Sequence, residues 1–233
     1  MVSLARMNFT PASSVSVGVF VAIIAAVVMA FFAAAWRALD GQRGKFLALA
    51  LASGTVIGLL SALVASGRLW TLPLHGLPLF FGTVVLGAVS LGLSPLGRRM
   101  AEMVPLAALV AFQGFRFPLE LVLHSWAGQG TIPGTMTWTG QNWDIVSGLV
   151  ALACAPLVSR RRGLAWGANV VGFLLLLNVA RVAVLSSPLP FGWGQQPPLL
   201  LAFHLPYALI GPICVGGAFF GHVVLTRALL RRN

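Results

Sequence analysis

The sequence predicts an all-α protein: a bundle of about seven transmembrane helices that forms a single integral membrane domain over residues 1–233. Hydrophobic residues make up 58% of the chain and charged residues 8%, a composition that soluble domains do not show. The mean hydropathy is +0.94. Long apolar runs alternate with short basic clusters, and no linker rich in Ser or Gln divides the chain.

Seven apolar runs approach the roughly 20 residues that a helix needs to cross the hydrocarbon core. They lie near residues 16–36, 46–66, 76–95, 103–125, 143–158, 164–185 and 199–225. The fifth run is short, and the seventh contains Pro206 and Pro212 together with several glycines, so we expect it to be kinked or broken. A cleaved signal peptide is the alternative for the first run, which is however long for such a peptide and is followed by a basic stop.

Basic residues predict the orientation of the bundle. Most of the 15 Lys and Arg residues follow the first, third, fifth and seventh runs: Arg37, Arg43, Lys45, Arg98, Arg99, Arg160, Arg161, Arg162, Arg227, Arg231 and Arg232. Arg6 and Arg68 lie on the opposite side. Because cytoplasmic loops are enriched in Lys and Arg, the N-terminus is predicted outside and the C-terminus in the cytoplasm. The excess of positive charge therefore does not indicate a nucleic-acid partner.

A polar stripe crosses the fourth run. Gln113, Arg116, Glu120 and His124 recur at spacings of three and four residues, so a helix presents them on one face. A charged side chain at membrane depth is costly unless it pairs or meets water. The stripe therefore predicts a cavity, a relay or a binding site.

The predicted orientation brings polar residues of three other runs to the same outer level. We expect a ligand-binding cluster in the outer half of the bundle, formed by Arg116, Glu120, His124, Asn142, Asp144, Asn178, Arg181 and His204. In the structural alternative, Arg116 pairs with Glu120 along one helix and Asp144 pairs with Arg181 to lock the bundle.

Two outer loops are aromatic and rich in Gly, Thr or Pro. Residues 125–143 contain no charged side chain, and residues 186–198 have a similar rigid character. We expect the two loops either to cover the outer mouth of the cavity or to serve as interfacial connectors.

Metal and cofactor motifs are missing from the sequence. Cys154 and Cys214 each lie within an apolar run, where small buried hydrophobic residues are expected. There is no CxxC or HExxH spacing and no Gly-rich phosphate loop. We therefore expect neither a metal site nor a cofactor.

Three strings carry a resemblance: FRFPLELVLH, MTWTGQNWDIVSG and NVARVAVLSSPLPF. They resemble strings of a family of small bacterial polytopic membrane proteins whose function is not established. This resemblance implies a multi-pass protein of the bacterial inner membrane and supplies no substrate.

A weaker resemblance concerns exosortases and archaeosortases, which are membrane cysteine transpeptidases. Asn178-Val-Ala-Arg181 matches their Asn-x-x-Arg motif, and His204 follows as their later histidine does. Val146-Ser147-Gly148 has valine where the family has its catalytic cysteine, which puts the transpeptidase chemistry in doubt. The catalytic candidates that remain are His124, Arg181 and His204, with Ser147 a weaker one.

Three functions fit the sequence. The first is binding or transport of a small polar or anionic ligand, with Arg116 and Arg181 supplying charge. The second is a membrane enzyme at the outer leaflet, with His124 or His204 as acid or base. The third is an accessory subunit that meets a membrane-complex partner within the bilayer. The sequence does not decide whether the protein is an enzyme.

Overall fold

The computed structural model describes residues 7–71 and 76–231. Within these ranges the chain is helical and contains no strand, which confirms the predicted all-α class. The α-helices are α1 Ser14–Leu39, α2 Arg43–Ala65, α3 Gly76–Leu93, α4 Pro95–Met103, α5 Leu106–Phe112, α6 Arg116–Gly128, α7 Ile145–Cys154, α8 Arg162–Ser186 and α9 Gly216–Arg231. Arg6 and Arg232, which entered the orientation argument, lie outside the described residues.

Six helical segments of the described chain are long and apolar enough to cross a membrane. They are Ser14–Leu39, Arg43–Ala65, Gly76–Leu93, Leu106–Gly128, Arg162–Ser186 and Tyr207–Arg231. The predicted fifth span instead corresponds to a shorter apolar helix, Ile145–Leu157. This helix begins where the turns of residues 129–144 end and stops before the turn at residues 158–160, so the run that the sequence already marks as short gives only a short helix.

The centre of the bundle is formed by the fourth and last of these segments. In Tyr207–Arg231, 67% of the most apolar stretch is buried, whereas in α2 the value is 6%. The side chains that α2 and α3 expose include Leu47, Leu51, Leu59, Leu79 and Leu86. Such surfaces are unfavourable in water and suit a hydrocarbon environment.

The two central segments depart from regular α-helix, one near its middle and the other near its start. A 3₁₀ turn, Gln113–Phe115, separates α5 from α6, and Pro118 in the first turn of α6 has no N–H to continue an α-helical ladder across this point. Before α9, the chain forms two 3₁₀ turns and a π-helix, Ile210–Val215, which contains Pro212. The predicted seventh run is therefore irregular over residues 201–215 and becomes an α-helix only at Gly216.

Close contact between α6 and α7 positions the site. A Cβ atom at Gly148 would lie 2.3 Å from the backbone nitrogen of Phe117, so this contact requires glycine. Because α7 begins only three residues earlier, its N-terminus is held beside the first turn of α6.

Candidate functional site

Arg116 and Asp144 form an ion pair in the interior of the bundle. Nε of Arg116 donates to Oδ2 of Asp144 at 2.6 Å, and Nη2 donates to Oδ1. Their side chains are 1% and 6% exposed. The hydroxyl of Ser147 also donates to Oδ1, at 2.9 Å. The two charges compensate each other in a bidentate geometry that fixes both side chains.

The remaining nitrogen of Arg116 connects the pair to α8 and α9. Nη1 donates to the carbonyl of Gly172 at 2.9 Å and contacts Nε2 of His222 at 3.2 Å. A guanidinium group can only donate, so Nε2 accepts and Nδ1 carries the proton of a neutral imidazole. Nδ1 then donates to Oδ1 of Asn169 at 2.9 Å. Asn169 donates to Thr226, and Thr226 donates to the carbonyl of His222, both at 2.8 Å.

Gly172 provides the space for this network. A Cβ atom at this position would lie 2.7 Å from Cε1 of His222 and 3.4 Å from Nη1 of Arg116. The first distance is shorter than carbon atoms tolerate, so a larger residue would displace the imidazole.

Glu120, one turn along α6 from Arg116, is buried but only half satisfied. Its Oε1 accepts a hydrogen bond from Nδ2 of Asn142 at 2.8 Å. Asn142 also donates to the carbonyl of Met136, and its Oδ1 accepts from the backbone N–H of Asp144. Among residues 7–71 and 76–231, no donor reaches Oε2 of Glu120. The side chain therefore retains one buried oxygen for another partner.

A cavity adjoins this carboxyl group. Its volume is about 70 Å³, several times the space that one water needs. Its wall is mostly apolar and comes from α3, α6, α8 and the irregular segment before α9. The aromatic part of the wall consists of Phe80, Phe81 and Phe115, and the polar part consists of Arg116, Glu120, Asp144 and Ser187.

The stripe predicted on the fourth run divides near its C-terminal end, between Glu120 and His124. Gln113, Arg116 and Glu120 are buried, and Nε2 of Gln113 donates to the carbonyl of Ala218 at 3.4 Å. His124 is exposed and stacks on Trp138, with ring centroids 4.1 Å apart. His124 is thus separate from the buried cluster.

Asn178 and Arg181 lie on a different face of α8 from the cavity. The cavity meets α8 at Leu176, Val179 and Ala183. Asn178 donates to the backbone carbonyl of Gln141 at 2.7 Å, and Arg181 donates to its side chain at 3.2 Å. Arg181 is exposed, and its guanidinium lies 5.5 Å from the ring of Trp193.

The ion pairing differs from the predicted structural alternative. Asp144 pairs with Arg116 rather than with Arg181. Glu120 takes its hydrogen bond from Asn142 rather than from Arg116.

His204 is half-buried and stacks on Phe9, with ring centroids 3.9 Å apart. Burial lowers the pKa of His204 below its ordinary value. His204 is not one of the described residues that line the cavity. Val146, at the position of the exosortase cysteine, is 43% exposed. The residues that resemble the exosortase motifs therefore have separate surroundings.

The two aromatic loops, residues 125–143 and 186–198, contact each other beside the cavity. The hydroxyls of Thr135 and Ser186 are hydrogen bonded at 2.8 Å. Met136 from the first loop and Ser187 from the second contribute to the cavity wall, as does Leu199, which directly follows the second loop. Within the first loop, Gly140 packs so closely that a Cβ atom would lie 2.3 Å from the carbonyl oxygen of Gly134.

Sequence reasoning missed the part of the polar network that involves α8 and α9. His222 contacts Arg116 directly, and Asn169 is connected to Arg116 through His222. The available signal was the spacing of His222 and Thr226, which are four residues apart on one face of an otherwise apolar helix.

No group of three His, Cys, Asp or Glu side chains that could hold a metal ion occurs in the described part of the chain. Cys154 and Cys214 are free thiols, half-buried and buried respectively.

Comparison with known proteins adds one family. A family model described as a domain of unknown function, DUF8737, matches residues 74–230. No curated protein gives a significant match, and neither does any solved structure.

Proposed function

The chain belongs to the DUF8737 family of domains of unknown function, and we propose a function for it from its cavity. We propose that it is a multi-pass protein of the bacterial inner membrane that binds a small ligand against Glu120. In this proposal the N-terminus is outside and the cavity lies in the outer half of the bundle. The distribution of basic residues between alternate loops supports this orientation.

The observation that carries the proposal is the free oxygen of Glu120. Buried polar atoms in proteins nearly always have a hydrogen-bond partner, and leaving one without a partner costs about 1–3 kcal/mol. Oε2 of Glu120 has none among the described residues, and the side chain lines a preformed cavity. Apolar cavities with few polar groups are typical ligand sites. A ligand that donates a hydrogen bond would satisfy this oxygen.

The surroundings support a neutral or cationic ligand over the anionic one considered from the sequence. All three nitrogens of Arg116 are engaged by Asp144, Gly172 and His222. Arg181 lies on the face of α8 that contacts Gln141. An anion in the cavity would therefore approach the carboxyl groups of Glu120 and Asp144 without an available cation.

The test uses the full chain in lipid nanodiscs with two small probes of one shape, 2-phenylethanol and phenethylammonium. Binding stabilises the folded state, so at least one probe is expected to raise the Tm in a concentration-dependent manner. Ala183→Phe places a large ring in the cavity wall and is expected to abolish the effect. The matched control is Leu174→Phe on the same helix, where the side chain is 61% exposed, and it should respond as the wild type does.

Two results would contradict the proposal. In one, neither probe changes the Tm of the wild-type protein. In the other, Ala183→Phe responds to the probes as strongly as Leu174→Phe does.

A further inference from the structure

We infer that the ligand is an organic cation with an N–H donor and an apolar body, and that it exchanges with a proton on Glu120. This inference rests on the proposed function and names the chemical class of its ligand. It follows from the charges that face the cavity, the position of the carboxyl group and the composition of the wall.

The charged groups around Glu120 leave its own charge uncompensated. Arg116 from α6 is paired with Asp144 from the start of α7, so these two cancel. His222 from α9 offers an acceptor nitrogen to Arg116 and is neutral by this geometry. The π-helix contributes the thiol of Cys214, and α3 contributes the rings of Phe80 and Phe81.

An ionised Glu120 would place one unpaired negative charge beside an apolar cavity. Such a charge is far more costly than a neutral carboxyl group in the same place. Glu120 therefore carries a proton when the cavity holds no cation. Its single hydrogen bond, from Asn142 to Oε1, is compatible with this state because Oε2 remains available for the proton.

A ligand ammonium group supplies the missing positive charge. On binding, the O–H bond of the Glu120 carboxyl group breaks and its proton passes to water, and the carboxylate then accepts an N–H hydrogen bond from the ligand. One positive charge enters as another leaves, so the net charge of the site is unchanged. Phe80, Phe81 and Phe115 line the same cavity, and the faces of aromatic rings attract cations.

An alcohol of the same shape gains less from this site. It can donate one hydrogen bond to the carboxyl group but brings no charge, so it leaves the proton in place. A carboxylate of the same shape would bring an uncompensated negative charge into an apolar cavity, because Arg116 is already engaged by Asp144, Gly172 and His222. The cavity therefore discriminates by charge among ligands of equal size.

Calorimetric titration of the full chain in nanodiscs with phenethylammonium, 2-phenylethanol and phenylacetate tests this inference. We expect phenethylammonium to bind at least about tenfold tighter than 2-phenylethanol, and its affinity to rise by up to about tenfold per pH unit while Glu120 is protonated. Buffers of different ionisation enthalpy should report about one proton released per cation bound. Phenylacetate should show no binding.

Glu120→Gln provides the matched variant, since it keeps the shape and the hydrogen-bonding capacity of the side chain without its titratable proton. It should bind the alcohol as the wild type does, bind the cation at least about tenfold more weakly, and release no proton. Asn178→Ala, on the face of α8 that contacts Gln141, should leave all three titrations unchanged.

The outcomes separate this inference from the proposed function. If 2-phenylethanol binds in the cavity as tightly as phenethylammonium, or if cation binding releases no proton, the cation inference is wrong and the binding function stands. If neither probe binds, both are wrong.

Discussion

Arg116 and Asp144, which are 28 residues apart in sequence, join in the bundle through a hydrogen bond of 2.6 Å between Nε and Oδ2. The contact links α6 to the N-terminus of α7 and leaves Glu120, one turn away, without a cationic partner among the described residues. This division of roles, with one carboxylate paired and the other available, underlies the predictions that follow.

Removing one partner of the buried pair is expected to destabilise the fold. Arg116→Leu and Asp144→Leu should each lower the free energy of unfolding by about 3–5 kcal/mol, because each leaves an uncompensated buried charge. The double variant Arg116→Leu/Asp144→Leu should be less destabilised than the sum of the two. Reversible unfolding in mixed micelles measures these values. Single variants that each lose less than about 1 kcal/mol would mean that the pair is exposed to water.

Two glycines of α8 form a matched comparison. Gly172→Ala forces a methyl group against His222 and should cost about 1–3 kcal/mol. A Cβ atom at Gly167 meets nothing within 4 Å, so Gly167→Ala should be neutral or stabilise by up to about 1 kcal/mol. The same unfolding assay applies to both. Equal effects would show that α8 does not contact the Arg116 network as described.

The hydrogen bond between Asn142 and Glu120 predicts energetic coupling. A double-mutant cycle with Asn142→Ala and Glu120→Leu should give a coupling energy of about 0.5–3 kcal/mol. The control cycle uses Gln141→Ala in place of Asn142→Ala, because the exposed side chain of Gln141 contacts Arg181 and not Glu120. Its coupling energy should be less than about 0.5 kcal/mol. Equal coupling energies in the two cycles would mean that Glu120 is not hydrogen bonded to Asn142 as described.

The sequence predicted the membrane character of the chain better than the contacts of its polar groups. Composition alone identified all six of the segments long enough to cross a membrane, because apolar surface is a local property. The irregular start of the last segment also followed from local residues, Pro206 and Pro212. The predicted start of the fifth run, residue 143, also lies within two residues of the observed helix start at Ile145. Hydrophobicity did not reveal the course of residues 129–144, which fold as a loop through interactions with other helices.

The pairing of the polar residues depended on that same loop. Helical spacing placed Arg116 and Glu120 on one face, and both are buried. Their partners Asp144 and Asn142 are set by the path of residues 129–144, which no periodic pattern encodes. Arg181 and His204 were expected at the level of the cluster from their position along the chain, but helical rotation and the stacking on Phe9 give them other neighbours.

The stability of the protein should depend on pH through His204. Because burial lowers the pKa of this imidazole below its ordinary value of 6.5, the folded state favours the neutral ring. Its contribution to stability is full above pH 6.5 and is lost as the pH falls through the lower pKa of the folded state. Between about pH 7.5 and about pH 5.5, the Tm of His204→Gln should therefore decrease less than the Tm of the wild type. The prediction is wrong if the Tm of the wild type decreases by no more than the Tm of His204→Gln over this pH range.

The proposed orientation can be checked with single cysteines in a background lacking Cys154 and Cys214. Thr139 and Arg161 are both exposed, and they lie at opposite ends of the segment that contains α7. In intact cells a membrane-impermeant maleimide should label Thr139→Cys, whereas Arg161→Cys should react only after permeabilisation. Labelling of Arg161→Cys in intact cells would reverse the orientation and place the cavity toward the cytoplasm.

Infrared difference spectroscopy of the full chain in nanodiscs can show whether the carboxyl group of Glu120 meets the ligand in the cavity. The C=O stretch of a protonated buried carboxyl group should be present without ligand and should disappear when phenethylammonium is added. Glu120→Gln should lack this change, while Asn178→Ala should retain it. A ligand-induced carboxyl signal that is the same in Glu120→Gln as in the wild type, or no such signal at saturating phenethylammonium, would contradict the account.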